Sequence, residues 1–391
     1  MAFSEWLTSP AWLIATLIAF GAGALMTEMA ILLARRLSLH AVPNARSSHT
    51  IPTPQLGGVG ASVPALAFLF YLVVAAPHAE RATHLFFYLF FGSSLLFFSI
   101  GLWDDLSNLS PKKKLLAQVV AGAMATEVLA AVFVGLSGAH ASELLVGQFL
   151  AAAVWLVWVV GFVNAFNFMD GMNGKAGLFA LNALAFSLIM MTVALPGGVN
   201  ESWFAQTTQI APSSLALSVG VTIGGVAGFM LFNCRPKALV FLGDCGSHFL
   251  GCFLATIAFA VSTSLFGPGL SLLSFVILFM PFLYDVTFTL IKRGLAGKKV
   301  WEAHREHLYQ RLMIRGMSHM HVLGICAITY VLCGALAVVC VRQATLASRL
   351  VCLASAITVM VAYTIYVLQV ERRTRTAPST EPGASGQSAV E

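Results

Sequence analysis

Runs of about twenty apolar residues repeat along the whole chain, separated by short segments that hold most of its charged side chains. A bilayer span needs about 20 predominantly apolar residues. Eleven stretches meet that length: 11–33, 57–76, 84–103, 115–135, 144–163, 177–195, 213–231, 246–266, 270–291, 320–341 and 349–369. The pattern predicts an all-α, polytopic integral membrane protein of about eleven transmembrane helices.

Composition agrees, since 58% of the 391 residues are hydrophobic and only 10% are charged. A mean hydropathy of +0.85 excludes a soluble globular protein of this size. The spans leave no room for a soluble domain, so residues 1–370 are expected to form a single transmembrane domain. The stretch 371–391 is rich in Pro, Ser, Gly and Ala after its first residues and is expected to be a disordered tail.

Charge orients these spans. No Lys or Arg precedes the first stretch, whereas Arg35 and Arg36 follow it directly. A cleaved signal peptide carries its positive charge in front, so the first stretch is expected to be a retained helix with its N-terminus periplasmic. Cytoplasmic loops carry the Lys and Arg excess. With that orientation, 19 of the 22 basic residues fall inside, leaving only Arg81, Arg342 and Arg349 outside. An odd number of spans then places the C-terminus in the cytoplasm. The net charge of +6 describes one surface facing anionic lipid headgroups and anionic ligands. Without a soluble domain, nucleic acid is not expected as a partner. The seven cysteines show neither metal-ligand spacing nor a CxxC motif, and Cys326, Cys333 and Cys340 read as core packing within one span.

All five aspartates, Asp104, Asp105, Asp170, Asp244 and Asp285, fall on the basic side, in or beside the inner loops. Those loops are 34–56, 104–114, 164–176, 232–245 and 292–319. Asp104 and Asp105 are adjacent at a helix end, where two carboxylates repel, so at least one gains from a cation or holds a proton more tightly. Lys114 begins the next apolar helix, where an ammonium suits a phosphate at headgroup level. Asn164, Asn167 and Asp170 stand three apart, so on a helical turn their oxygens line one face. Asp244, bracketed by glycines at a helix start, reads either as an N-cap or as a Mg2+ ligand, since that ion takes one or two protein carboxylates plus substrate phosphates. His304, Arg305, His307 and Arg311 would share a helical turn and suit a diphosphate. Arg46 and His49 add anion-binding donors to the first inner loop. Asp285 is an intramembrane acid, functional or paired, with Lys292 and Arg293 close enough to shield it.

At these residues the chain resembles the polyprenyl-phosphate N-acetylhexosamine-1-phosphate transferases, the WecA-type and MraY-type enzymes of glycosyltransferase family 4. The matching elements run in family order: 46–58, Asp104-Asp105, 164–177, 243–247 and 304–312. The resemblance implies transfer of an N-acetylhexosamine-1-phosphate from a UDP-sugar to undecaprenyl phosphate, releasing UMP, with Mg2+ as cofactor and Mn2+ able to substitute. It implies Asp244 and Asn167 as metal ligands, and Asp104, Asp105 and Asp170 as catalytic acids. It implies Arg46, His49, Lys114, Asn164, His304, Arg305, His307 and Arg311 as substrate contacts.

Tyr309 and Gln310 stand where WecA-type chains usually carry a further His pair, which looks closer to the WbpL-like branch that initiates O-antigen synthesis. That branch implies UDP-N-acetylfucosamine, UDP-N-acetylquinovosamine or UDP-N-acetylglucosamine as donor. Lys175 replaces a usual apolar residue, either adding a phosphate contact or reinforcing orientation. The implied setting is the bacterial inner membrane with the active site on the cytoplasmic face, and a homodimer is compatible with it. The competing reading is an ion-coupled secondary transporter. Transporters hold coupling ions near the midplane, often between repeated halves, whereas these acids lie at span ends and no repeat is visible.

Overall fold

The computed structural model describes residues 10–41, 52–75, 81–137, 141–194, 212–262, 271–300 and 304–376. Twelve helices fill these segments: α1 (Pro10–Arg36), α2 (Gly58–Ala75), α3 (Arg81–Ser107), α4 (Pro111–Ser137), α5 (Ala141–Met169), α6 (Lys175–Ala194), α7 (Pro212–Asn233), α8 (Gly243–Ser262), α9 (Leu272–Leu295), α10 (Leu308–Ile314), α11 (His319–Val341) and α12 (Leu346–Thr376). All except the seven-residue α10 match the expected spans. Ten of the others are long and apolar enough to cross a membrane; α4, with 27 residues, is not counted among them. The chain is an all-α polytopic membrane protein. α12 runs to Thr376, so the first residues assigned to the tail are helical.

α8 is the centre of the bundle. It packs against α2, α3, α5 and α6, and every residue from Cys245 to Ala258 is buried. Its mostly apolar side chains suit that position, and the buried Ser247 and His248 find hydrogen-bond partners. Its own Phe253 packs against Phe249 one turn earlier and against Phe90 of α3, the Phe90 and Phe253 centroids 5.1 Å apart. Cys326, Cys333 and Cys340 are buried in α11, as their spacing predicts.

Close helix crossings rest on small residues. Lipid provides no hydrophobic drive between helices, so backbones must approach. α1 crosses α7 at Gly224 and Gly228, one turn apart; a Cβ on Gly228 would lie 2.5 Å from Ala24 N and Phe20 O. Gly228→Leu should therefore destabilise the bundle by about 2–3 kcal/mol through overpacking. The measurement is thermal unfolding in detergent, and an unchanged midpoint would show that α1 and α7 separate without cost.

Two features fold the first loop onto α8. A short antiparallel ladder pairs β1 (His40–Ala41) with β2 (Thr53–Pro54). The chain from Pro54 onward then lies along the approach to α8, with Phe241 N donating to Pro54 O at 2.8 Å, Gly57 N to Phe241 O at 2.9 Å and Gly58 N to Leu242 O at 2.7 Å. Gly243, which opens α8, has φ +74°, and a Cβ there would run into Gln55 O. Glycine is required at that turn.

Candidate active site

Three helix ends meet at one point. α3 stops after Asp104 and Asp105, where Asn108 takes the left-handed conformation (φ 51°) and its N–H returns to Asp104 O at 2.8 Å. α4 begins with the lysines that include Lys114, and α8 begins at Gly243. α3 and α8 touch backbone to backbone, because a Cβ on Gly101 would collide with Asp244 O. This crossing brings residues about 140 positions apart into one cluster.

The two adjacent acids have different partners. Successive helical residues point about 100° apart, so Asp104 and Asp105 cannot face the same neighbour. Asp104 Oδ2 lies 2.8 Å from Lys114 Nζ, and Lys114 also pairs with Asp244 Oδ2. The ammonium thus bridges two carboxylates. Asp105, 8% exposed, instead accepts from the backbone: Asp244 N to Oδ1 at 2.8 Å and Cys245 N to Oδ2 at 2.9 Å. It caps the first turn of α8 from another helix. Gln55 Nε2 donates to its carbonyl at 3.1 Å.

α5 supplies the third wall. Asn167 Nδ2 donates to Asp244 Oδ1 at 2.7 Å and to Ser247 Oγ at 2.9 Å. Asn164 lies one turn deeper and donates to Gln118 Oε1 at 2.8 Å. Gln118 Nε2 meets His248 Nε2 at 2.7 Å, and His248 Nδ1 meets Asp244 O at 2.7 Å. A carbonyl can only accept, so Nδ1 carries the proton and Gln118 donates to the bare Nε2. This directed chain joins α5, α4 and α8 directly beneath the acids. Gln118 and His248 were not singled out from sequence, although each stands four residues after a charged member of the cluster, Lys114 and Asp244, and so on the same helical face.

Asp170 follows the last residue of α5 and is half-buried. Burial, reinforced by repulsion from the Asp244 and Asp105 carboxylates, pushes its pKa well above the ordinary value; Lys175 opposes the shift. Asp170 is therefore inclined to hold a proton.

The 304–314 segment is fastened by three acids. Asp285, 2% exposed, accepts from Leu308 N at 3.0 Å and Thr289 Oγ1 at 3.2 Å, and lies 3.1 Å from His307 Nδ1. Its partner is His307, and not the Lys292–Arg293 pair expected to shield it. Arg293 binds Glu306 at 2.5 Å, and the charges of Lys298 and Arg293 hold Glu306 below its ordinary pKa despite burial. Arg311 makes a two-pronged contact with Glu371 of α12, at 2.8 and 2.5 Å. Of the expected diphosphate contacts, His307 and Arg311 are thus engaged with protein carboxylates. His304 and Arg305 are half-buried. Burial, with the nearby His307 and Arg293, lowers the His304 pKa to about 4, so it is neutral near pH 7. Arg46 and His49 lie outside the described residues.

A cavity of about 420 Å³, lined by none of the cluster residues, lies between residues 52–54, residues 236–241, Asn173 and His319. Arg35, His40, Lys237 and His319 give it a basic lining, Phe241 an aromatic wall, and Asn173 an amide. No acidic residue lines it. His319 Nε2 is fixed 2.9 Å from Asn173 O, and Phe241 precedes Asp244 by three positions. Sequence reading had named none of these six as site residues, because they come from four separate segments with no shared motif.

Residues 86–262, which hold the acid pair, Lys114, the Asn164–Asp170 segment and Asp244, match the model of glycosyl transferase family 4. Over 226 residues, 53% of this chain, the sequence is 30% identical to a phospho-N-acetylmuramoyl-pentapeptide-transferase of Campylobacter jejuni, and the match spans 60% of that protein's length. It is 28% identical over 315 residues to a decaprenyl-phosphate N-acetylglucosaminephosphotransferase of Mycobacterium tuberculosis, covering 74% of this chain and 73% of the relative. It is 36% identical over 121 residues to a probable undecaprenyl-phosphate N-acetylglucosaminyl 1-phosphate transferase of Bacillus subtilis, covering 30% and 32% of the two chains.

Proposed function

We propose that this chain, which belongs to glycosyl transferase family 4, transfers an N-acetylhexosamine-1-phosphate from a UDP-sugar to undecaprenyl phosphate and releases UMP. The observation that carries the reading is the convergence of Asp104, Lys114, Asn167 and Asp244 from four helices, with a basic, acid-free cavity reaching Phe241 just before Asp244. The names of the relatives, transferases of a phospho-sugar or acting on a polyprenyl phosphate, support that reading.

The donor set suits Mg2+. Asp104 and Asp244 already direct their carboxylates at one cationic position, where the Lys114 ammonium lies. Among the described residues no three His, Cys, Asp or Glu side chains form a metal site. Mg2+ takes one or two protein carboxylates and completes its shell with substrate phosphate oxygens. Asp244 would hold the ion with Asn167, its amide turned to present the oxygen, and when bound the ion would draw charge from the diphosphate.

The side chains divide the remaining work. The nucleotide end of the donor occupies the cavity, with Phe241 against the base and Arg35, Lys237 and His319 neutralising phosphate. Lys114 meets the acceptor's phosphate, already ionised near pH 7, and Asp104 holds the ammonium in place. An acceptor oxygen bonds to the sugar-bearing phosphorus as the bond to the UMP oxygen breaks, so UMP carries the charge away. Asp170, inclined to protonation, is suited to give a hydrogen bond to the leaving phosphate.

The basic loops support an inner-membrane enzyme working at the cytoplasmic face, where a soluble nucleotide sugar and a membrane-held acceptor meet. The HRxHxYQ pattern favours donors of the UDP-N-acetylglucosamine, -fucosamine or -quinovosamine type and a role in O-antigen initiation. Purified protein with undecaprenyl phosphate, Mg2+ and a panel of these donors should release UMP. Absence of UMP with every donor, while a characterised family member succeeds, would refute the reading.

A further inference from the structure

Lys175 was read from sequence as a loop cation, but it is 1% exposed and opens α6 inside the protein. Its Nζ lies 4.3 Å from the Phe282 ring centroid and 4.2 Å from that of Tyr309, and it donates to Met169 O at 3.3 Å. Among the described residues it forms no ion pair. One ammonium therefore touches the end of α5, the middle of α9 and the start of α10, while its backbone begins α6.

The segment it closes is the one that carries Asp170. Residues 170–174 leave α5, turn through Gly174 (φ +75°) and re-enter as α6, with Lys175 N bonded to Met172 O at 3.1 Å and Gly174 N to Asn233 Oδ1 at 2.7 Å. Gly171 lies against Tyr309 and Gln310, since a Cβ there would strike the Tyr309 hydroxyl. The Asp170 turn and the 304–314 segment thus share a contact surface, and Lys175 sits at its buried edge.

We infer that Lys175 is a positioning residue that locks the Asp170 turn to the His304–Arg311 segment through its cage of two rings and a carbonyl. This rests on the transferase reading above for what the two segments do, though not for the lock itself. An ammonium costs far more to bury than a methylene chain of the same length, and cation–π contact and one carbonyl offset only part of that. Met would fill the slot between the rings with no charge to desolvate. If packing were the only role, the neutral residue would serve better. Intramembrane cations without an ion-pair partner point instead to function.

Lys175→Met and Lys175→Arg separate the possibilities. Lys175→Met should unfold at an unchanged or higher temperature, yet lower kcat for UMP release at least tenfold with less than threefold change in KM for the donor. Lys175→Arg, which keeps a charge that stacks on rings, should recover at least a third of the wild-type kcat. Amide hydrogen exchange of Lys175→Met should show residues 170–174 and 308–314 losing protection together, with the rest of the bundle unaltered. A Lys175→Met protein with wild-type kcat and wild-type exchange would overturn the inference, as would a fall in kcat that only tracks a lower unfolding temperature. Should the wild-type protein release no UMP with any donor, the transferase reading falls, while the exchange measurement still decides whether Lys175 couples the two segments.

Discussion

An Asp244→Ala variant should release UMP at about one thousandth of the wild-type rate or less while unfolding near the wild-type temperature. Asp244 is the residue at which the site converges: Lys114 and Asn167 reach its two carboxylate oxygens, and its carbonyl anchors His248. Removing the side chain leaves the backbone of the α8 start in place, because Asp105 holds that by its N–H groups. The side chain is also 27% exposed, so its loss creates no buried cavity. The expected loss is therefore catalytic, since a preorganised charge aimed at the reacting phosphates typically contributes 10²–10³-fold or more. Asp244→Asn, which preserves shape and removes charge, should be nearly as inactive. UMP release and thermal unfolding in detergent, measured on the same preparation, test this. Activity within tenfold of wild type would mean that the cation and the diphosphate are held elsewhere.

The cluster that makes Asp244 central was partly legible in the sequence. Five polar segments on one expected side of the membrane implied a shared site, and α3, α4, α5 and α8 do deliver Asp104, Lys114, Asn167 and Asp244 to one point. Their hydrogen-bond partners were not legible, because adjacency in sequence hides direction on a helix. Asp104 and Asp105 look alike as text, yet one faces an ammonium and the other a helix terminus. Lys175 reads as another loop cation until α6 is seen to begin two residues earlier than the apolar pattern suggests, which turns its side chain inward. Arg311 looked available to a diphosphate because its partner, Glu371, lies 60 positions away in a stretch taken for tail. Asp285 was assigned to Lys292 and Arg293 by proximity in sequence, but the chain returns through 304–308 and brings His307 and a backbone N–H nearer. Where i, i+4 spacing could have helped, as for Gln118 and His248, neutral polar residues within apolar helices gave too weak a signal to be singled out.

The division between the adjacent acids leads to a sharper expectation. Asp105→Asn should lower stability by about 2–3 kcal/mol and activity with it, whereas Asp104→Asn should lower activity at nearly unchanged stability. The first N–H groups of a helix have no partner within it and must find one outside. In α8 the N–H groups of Asp244 and Cys245 find both oxygens of Asp105, at 2.8 and 2.9 Å, in a site where only 8% of that residue meets solvent. An ionised carboxylate is suited to a helix N-terminus and accepts at both positions. An asparagine accepts at one and presents an N–H to the other, so one buried donor loses its partner and faces another donor. Hydrogen bonds to charged groups are worth about 1.5–3 kcal/mol each, and a buried donor left unmade costs about as much. The first turn of α8 would then shift, and Asp244 with it. Asp104 differs because its partner is the Lys114 ammonium, which Asp244 can still hold after the change. Thermal unfolding of the two variants in detergent, paired with UMP release, separates these roles. If Asp105→Asn unfolds at the wild-type temperature while losing activity, Asp105 is a catalytic acid and the capping of α8 is incidental.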